Sequence, residues 1–171
     1  MGLNPRGRGQ LGSLVLLLVV VLLILRPWEG GGDEGPTQTV ALVTRVVDGD
    51  TIEARIGGQV EDVRYIGVDT PETVKPDTPV QCFGPQASAF NHRLVERRRV
   101  RLVFGVERRD AYGRLLAYVY LGRRFVNAAL VRRGLARTLT IPPNNRFAPL
   151  LRRLEMRAAR AGRGLWGACS P

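Results

Sequence analysis

Two short β-branched runs and a third in which apolar and polar residues alternate follow one another within "TVALVTRVVDGDTIEARIGGQVEDVRYIGVDT", residues 39–70. Asp48-Gly49 and Gly57-Gly58 are turn dipeptides between them, so the stretch predicts three antiparallel strands. Past a proline-containing loop, Gly84-Pro85 opens a 3.6-residue periodicity that sets Ala87, Phe90 and Leu94 on one helix face. "RRRVRLVFGVE" and "RLLAYVYLG" return to strand alternation. Helical patterns then run over 124–133, stopped by Gly134, and over 148–161, where Leu151, Leu154 and Ala158 share a side. Five short strands with a helix between the third and fourth predict a mainly-β fold with helices (α+β). The architecture expected is a five-stranded OB-fold barrel with three helices.

One run does not alternate. "LGSLVLLLVVVLLIL", residues 11–25, is uncharged and almost wholly apolar, with Arg6 and Arg8 before it and Arg26-Pro27 after it. This is an export signal, read over 11–26 behind a basic segment at 1–10. It is shorter than the roughly 20 residues that span a bilayer comfortably. No Ala-x-Ala-like site follows it, which favours an uncleaved anchor with its basic end in the cytoplasm over a cleaved signal peptide. "PWEGGGDEGP", residues 27–36, reads as a flexible linker, leaving 37–171 as the globular domain. The expected location is outside the cytoplasm, either membrane-anchored or secreted.

Charge sharpens the domain reading. The chain of 171 residues carries a formal charge of +11. Basic and acidic residues balance in 1–36, so the whole excess lies in the domain. Lys75 is the only lysine, and the remaining positive charge is guanidinium, suited to bidentate contact with phosphate or carboxylate. Nucleic acid and an anionic surface are both candidate partners on charge alone. Cys82 and Cys169 are the only cysteines; outside the cytoplasm an even pair suggests a disulfide, the alternative being two unrelated thiols. With one histidine and no Cys-x-x-Cys, a zinc site has almost no support.

The candidate chemistry gathers around "VDTPET", residues 68–73. Asp50 has the parity of Ile52, Ala54 and Ile56 in the second strand, and Arg64 that of Ile66 and Val68 in the third. A charge on an apolar face needs a partner or a function. The turn between these strands puts Asp50 and Asp69 at one rim. Two carboxylates, a carbonyl such as that of Thr70, and waters suit a hard divalent cation, calcium more readily than magnesium. Pro71 stiffens the chain before Glu72, a carboxylate placed to orient or deprotonate a water. Arg114 follows Tyr112-Gly113, where a tight turn aims it back at the rim. Arg64 and Arg114 would then clamp a phosphate from two sides. Taken singly, each residue has a plainer reading as a turn former or surface charge. His92 reads as an exposed or rim polar residue rather than a catalyst, and Trp166 as packing rather than base stacking.

Six stretches, "VVDGDTIEA", "VRYIGVDTPET", "FGPQASAF", "DAYGRLLAYVY", "VNAALVRRGLAR" and "PPNN", resemble in order and spacing the staphylococcal nuclease (thermonuclease) family, exported bacterial type, over roughly residues 40 to 167. The resemblance implies an OB barrel and calcium-dependent hydrolysis of DNA and RNA, single strands preferred, cutting P–O5′ to leave 3′-phosphates. It implies Asp50, Asp69 and Thr70 as Ca²⁺ ligands, Asp48 as a nearby acid acting through water, and Glu72 as general base or water-positioner. Arg64 and Arg114 match phosphate-binding arginines, and Tyr112 a tyrosine that bonds a terminal phosphate. "CFGPQ" and "GLWGAC" are similar to stretches of exported relatives in which such cysteines pair, which supports Cys82 to Cys169.

Two departures stand out. Ala111 stands where the family's best-known member has lysine, and "ARTLTIPPNN" is one residue shorter than the matching segment and lacks its two stacking tyrosines. Stacking at a single-stranded site is worth roughly 1–3 kcal/mol per base, so weaker nucleotide affinity or altered base preference is expected. The expected partners are DNA and RNA, and the membrane if the N-terminal segment is uncleaved, with the chain acting as a monomer. The competing readings are an OB-fold nucleic-acid-binding module without catalysis and a basic membrane-associated adaptor.

Overall fold

The computed structural model describes residues 37–74 and 77–169. The basic segment, the export segment and the linker expected over 1–36 lie outside those residues. Among the described residues no helix is long and apolar enough to cross a membrane.

Three antiparallel strands come first, β1 (Gln38–Val46), β2 (Thr51–Ile56) and β3 (Gln59–Tyr65). The two-residue strand β4 (Val68–Asp69) follows, then α1 (Gly84–Val95), β5 (Arg99–Arg109) and β6 (Leu115–Leu121). β1 pairs antiparallel with β5 and β5 with β6. A parallel pairing of β3 with β6, Val63 to Leu115 through Tyr65 to Ala117, closes the five long strands into a barrel. Closure removes the exposed edges and leaves the interior to alternate side chains. Val43, Ile52, Val63, Tyr65, Leu102 and Val119 are among those filling it.

The expected helix over 124–133 begins later than its pattern. Arg124–Phe125 forms a short strand, β7, paired with the end of β6, and α2 runs only over Val126–Arg132. Its Leu130 and Val131 are fully buried. α3 (Ala148–Arg160) buries Leu151, Leu154 and Ala158, the face read from the sequence. A single-turn helix, α4 (Leu165–Ala168), is a fourth helix among the described residues, one that periodicity does not register because four residues are about one turn.

Two further features position the rim. β4 pairs antiparallel with β8 (Arg137–Thr138), placing Asp69 opposite Arg137. Asn144, in the "PPNN" stretch, donates to the Glu107 carbonyl at 2.8 Å and accepts from its N–H at 3.1 Å, satisfying the backbone where β5 loses register with β6. A side chain at position 105 would collide with Asn144.

Candidate active site

The turn between β1 and β2 is built from the inside. Asp48 accepts from the Asp50 N–H through Oδ1 at 2.9 Å, an Asx turn that fixes the direction of Asp50. Asn91, fully buried on α1, donates to the Asp48 carbonyl at 3.0 Å and accepts from the Tyr65 hydroxyl at 3.1 Å, tying the turn to helix and barrel. Gly49 is required here, since a Cβ would lie 2.6 Å from the Thr70 side chain.

Asp50 is 3 % exposed. Its Oδ2 accepts from the Thr70 N–H at 2.6 Å and forms an ion pair with Arg64 Nη1 at 2.7 Å. Burial pushes the Asp50 carboxyl up to about 7; the Arg64 charge and the Thr70 N–H oppose that shift, while Asp48 and Asp69 add to it. Arg64 spends its other terminal nitrogen on Asp69 Oδ1, at 2.8 Å, and Nη1 also reaches the Val68 carbonyl at 3.0 Å. One guanidinium thus binds both carboxylates read from the sequence as a pair.

The face assigned to Arg64 needs correction. Its shared parity with Ile66 and Val68 crosses a break, because β3 ends at Tyr65 and Gly67 turns the chain with φ +80°. The buried face of β3 is Val63 and Tyr65, so Arg64 lies on the other side of the strand. It reaches the carboxylates by the length of its side chain.

Glu72 is held more firmly than its proline neighbour alone would hold it. Its Oε1 accepts from the N–H groups of Thr73 and Val74, each at 2.8 Å. Its own backbone pairs in both directions with Gln81, the Glu72 N–H to Gln81 Oε1 and the Gln81 N–H to the Glu72 carbonyl, each at 2.9 Å. Cys82, next in the chain, is bonded to Cys169. The expected disulfide is formed, and it fastens the loop carrying Glu72 to the end of the described chain.

Arg114 sits where the tight turn was expected to aim it, for a reason the sequence reading missed. Asp110 accepts from the Tyr112 and Arg114 N–H groups through Oδ1, both at 3.0 Å. Its Oδ2 binds the Arg114 guanidinium at 2.7 and 2.8 Å. The same carboxylate therefore shapes the turn and points the charge. Tyr112 is 85 % exposed, with the Arg114 guanidinium 5.3 Å from its ring centroid.

A single cleft of about 550 Å³ is lined by Asp48, Asp50, Arg64, Asp69, Thr70 and Glu72 together with Tyr112 and Arg114. Each residue assigned a metal, phosphate or proton-transfer role from the sequence lines this one space. Gln81, Asn91 and Asp110 support them; a signal for Asp110 existed, since an Asp two residues before a Tyr-Gly pair is an Asx-turn cue. His92 Nδ1 lies 3.1 Å from the Glu96 carboxylate, and the residue lines no part of the cleft. Arg137 lies over the Trp166 ring at 4.5 Å, in keeping with a packing role for that tryptophan.

A closed OB barrel whose rim gathers carboxylates, a fourth acid on a braced loop and two anchored arginines is built to act on a phosphate ester. Residues 62–168 match the family described as "Staphylococcal nuclease homologue". Relatives include the thermonuclease of Staphylococcus intermedius, 43 % identical over 160 residues that cover 91 % of this chain and 95 % of that protein. The thermonuclease of Staphylococcus hyicus is 35 % identical over 161 residues, with the same coverage of 91 % and 95 %. Endonuclease YncB of Bacillus subtilis (strain 168) is 42 % identical over 124 residues, 71 % of this chain and 59 % of that protein. The chain belongs to the staphylococcal nuclease family.

Proposed function

We propose that this protein is a calcium-dependent nuclease that hydrolyses the phosphodiester bonds of DNA and RNA with little sequence specificity, leaving 3′-phosphates. The observation that carries the proposal is the convergence of Asp50, Arg64, Asp69, Glu72 and Arg114 on one cleft. A module that only bound nucleic acid would have no use for a carboxylate pair beside a braced glutamate.

The donor chemistry suits a hard cation. Asp48, Asp50 and Asp69 offer oxygen only, and the cleft holds no histidine or cysteine. Among the described residues no group of three or more His, Cys, Asp or Glu side chains is arranged to hold a metal. The protein's share is therefore read as Asp50, Asp69 and the Thr70 carbonyl, with Asp48 acting through water. Bound there, Ca²⁺ would supply positive charge to a non-bridging phosphate oxygen.

The chain's own residues supply the rest. Glu72, its orientation fixed by two backbone N–H groups, takes a proton from the attacking water as the water oxygen bonds to phosphorus. The P–O5′ bond breaks in line, and the departing oxygen takes a proton from solvent. Arg64 and Arg114 stabilise charge on the phosphate from two sides, Arg114 already aimed by Asp110. Exposed Tyr112 stands beside Arg114 to bond a terminal phosphate. Contacts to phosphate carry affinity without sequence, which accounts for the low specificity. The Cys82–Cys169 bond supports a working place outside the cytoplasm, reached through the N-terminal segment.

The test is incubation of the full-length protein with single-stranded DNA and with RNA, in calcium or in chelator, followed by end-group analysis. Cleavage that needs calcium and leaves 3′-phosphates is expected. Binding without metal-dependent cleavage would replace this reading with the non-catalytic module.

A further inference from the structure

A second concave face lies apart from the cleft, between α1, α2 and the turn before α4. One groove there, of about 610 Å³, has an apolar floor that includes Phe83, Phe90 and Leu135 and a rim of Arg93, Arg132, Arg133 and Arg163. A neighbouring groove of about 390 Å³ shares Phe90, Arg132 and Arg133 with it, and adds Arg123, Arg124 and Phe125. The shared residues make the two grooves one track. No aspartate or glutamate lines either of them.

All of these arginines are exposed. Among the described residues no carboxylate lies within ion-pair distance of any of them, although five other arginines or histidines of the domain have such partners. Guanidinium groups crowded without counter-charge repel one another, a cost that a bound polyanion offsets. The rings are half-buried rather than protruding, and the Arg133 guanidinium already lies 4.7 Å from the Phe90 centroid. A planar cation on a recessed ring has the geometry of base stacking, and arginines ranged around aromatic floors describe a single-strand platform. A flat bilayer surface would meet the arginines but not the recessed rings.

The track runs up to the loop of the active cleft. Phe83 precedes Gly84, whose backbone packs so closely on that loop that a Cβ would lie 3.0 Å from the Glu72 carbonyl oxygen. We propose that this face is an exosite that holds a distal stretch of a single nucleic-acid strand while another stretch of the same strand occupies the cleft. The choice of occupant rests on the nuclease reading; the charge and shape of the face do not.

The test compares two charge-matched variants of the full-length protein. Arg93→Gln/Arg132→Gln/Arg133→Gln alters the exosite, and Arg152→Gln/Arg153→Gln/Arg157→Gln alters exposed arginines of α3 outside both grooves. With a strand of about 40 nucleotides, long enough to fill both sites, the exosite variant should raise KM about tenfold at unchanged kcat. On a trinucleotide it should match the unmodified protein. The salt dependence of strand binding should lose about 2 from its log–log slope, roughly 0.7 for each arginine removed. Equal losses in the two variants, parallel losses on the trinucleotide, or no loss on the long strand would overturn the proposal. So would weakened binding to phosphatidylserine vesicles at unchanged strand KM, which would assign the face to a membrane. Should the triple variant unfold early in a thermal scan, Arg93→Gln/Arg133→Gln carries the same comparison. Should the unmodified protein cleave neither substrate, the nuclease reading fails by itself; fluorescence anisotropy of the uncleaved strand with the two variants then decides the exosite, by the same difference.

Discussion

Arginine is used in two opposite ways in this molecule. In the cleft each guanidinium is anchored by carboxylates, Arg64 by Asp50 and Asp69 and Arg114 by Asp110. On the face of α1 and α2 the guanidiniums line grooves that contain no acid at all. Anchoring sacrifices attraction for geometry, because a paired charge has a weaker distant field but a fixed position. The unpaired face does the reverse, and its flexible side chains can follow a backbone of any sequence. One region is organised to act on a single phosphate and the other to retain many.

The comparison breaks most sharply at Glu72. Glu72→Gln keeps the shape of the loop and removes the proton acceptor, so kcat on single-stranded DNA should fall about 100- to 10,000-fold. Strand affinity, which belongs to the arginines, should stay within about twofold in an anisotropy titration, since a neutral amide replaces one charge among many. Undiminished kcat would remove Glu72 from the chemistry.

The disulfide sits at the seam between the two regions, with Gln81 bracing Glu72 on one side of Cys82 and Phe83 opening the groove on the other. It joins residues 87 apart in sequence. Loop-closure entropy gives such a bridge an upper estimate of about 4–5 kcal/mol. In Cys82→Ser/Cys169→Ser, calorimetry should show Tm lower by about 10 °C or more. If the seam serves both regions, kcat and long-strand KM should both worsen well below the new Tm. Loss of only one would show that the bridge supports that region alone.

Asp110 tests whether anchoring matters for its own sake. Asp110→Asn can keep the Asx-turn acceptor for the Tyr112 and Arg114 N–H groups while losing the charge that binds the guanidinium. A charge-assisted hydrogen bond is worth about 1.5–3 kcal/mol, and partial loss of it should lower kcat/KM about tenfold. Tm should change little. Full activity would show that Arg114 finds the phosphate without being aimed.

Much of this was legible in the sequence because the signals were local. Asp48-Gly49 and Gly57-Gly58 marked the turns, β-branched and alternating runs gave the five long strands, and the rim residues were picked out together. What escaped depended on partners distant in the chain. Asn91 bonds to a carbonyl 43 residues away, and Gln81 braces Glu72 across a loop. β4 and β8 have two residues each and stabilise only as a pair, so neither carries a periodic pattern. Arg64 was placed on the wrong face because counting parity assumes an unbroken strand, and Gly67 breaks it. The acid-free face was invisible for a related reason: its arginines come from separate stretches that only the packing of α1 and α2 brings together.

Leu139 offers the finest adjustment to the contrast. A groove of about 370 Å³ adjoins the cleft and is lined by Arg64, Tyr112 and Arg114 together with Leu139 and Ile141. Leu139 is 40 % and Ile141 59 % exposed, so aliphatic side chains stand in the segment where the sequence lacks aromatics. Aliphatic walls shed water from a base but give it no ring to stack on. The exosite, by contrast, has recessed phenylalanines, which shifts affinity away from the cleft and toward the distal stretch of strand. Leu139→Tyr supplies the missing ring beside the phosphate site. It should tighten a trinucleotide by about 1 kcal/mol, roughly fivefold, in an anisotropy or inhibition titration. On a long strand, already retained elsewhere, the gain should be smaller. An equal gain on both lengths would mean that the two regions do not divide substrate retention as their arginines suggest.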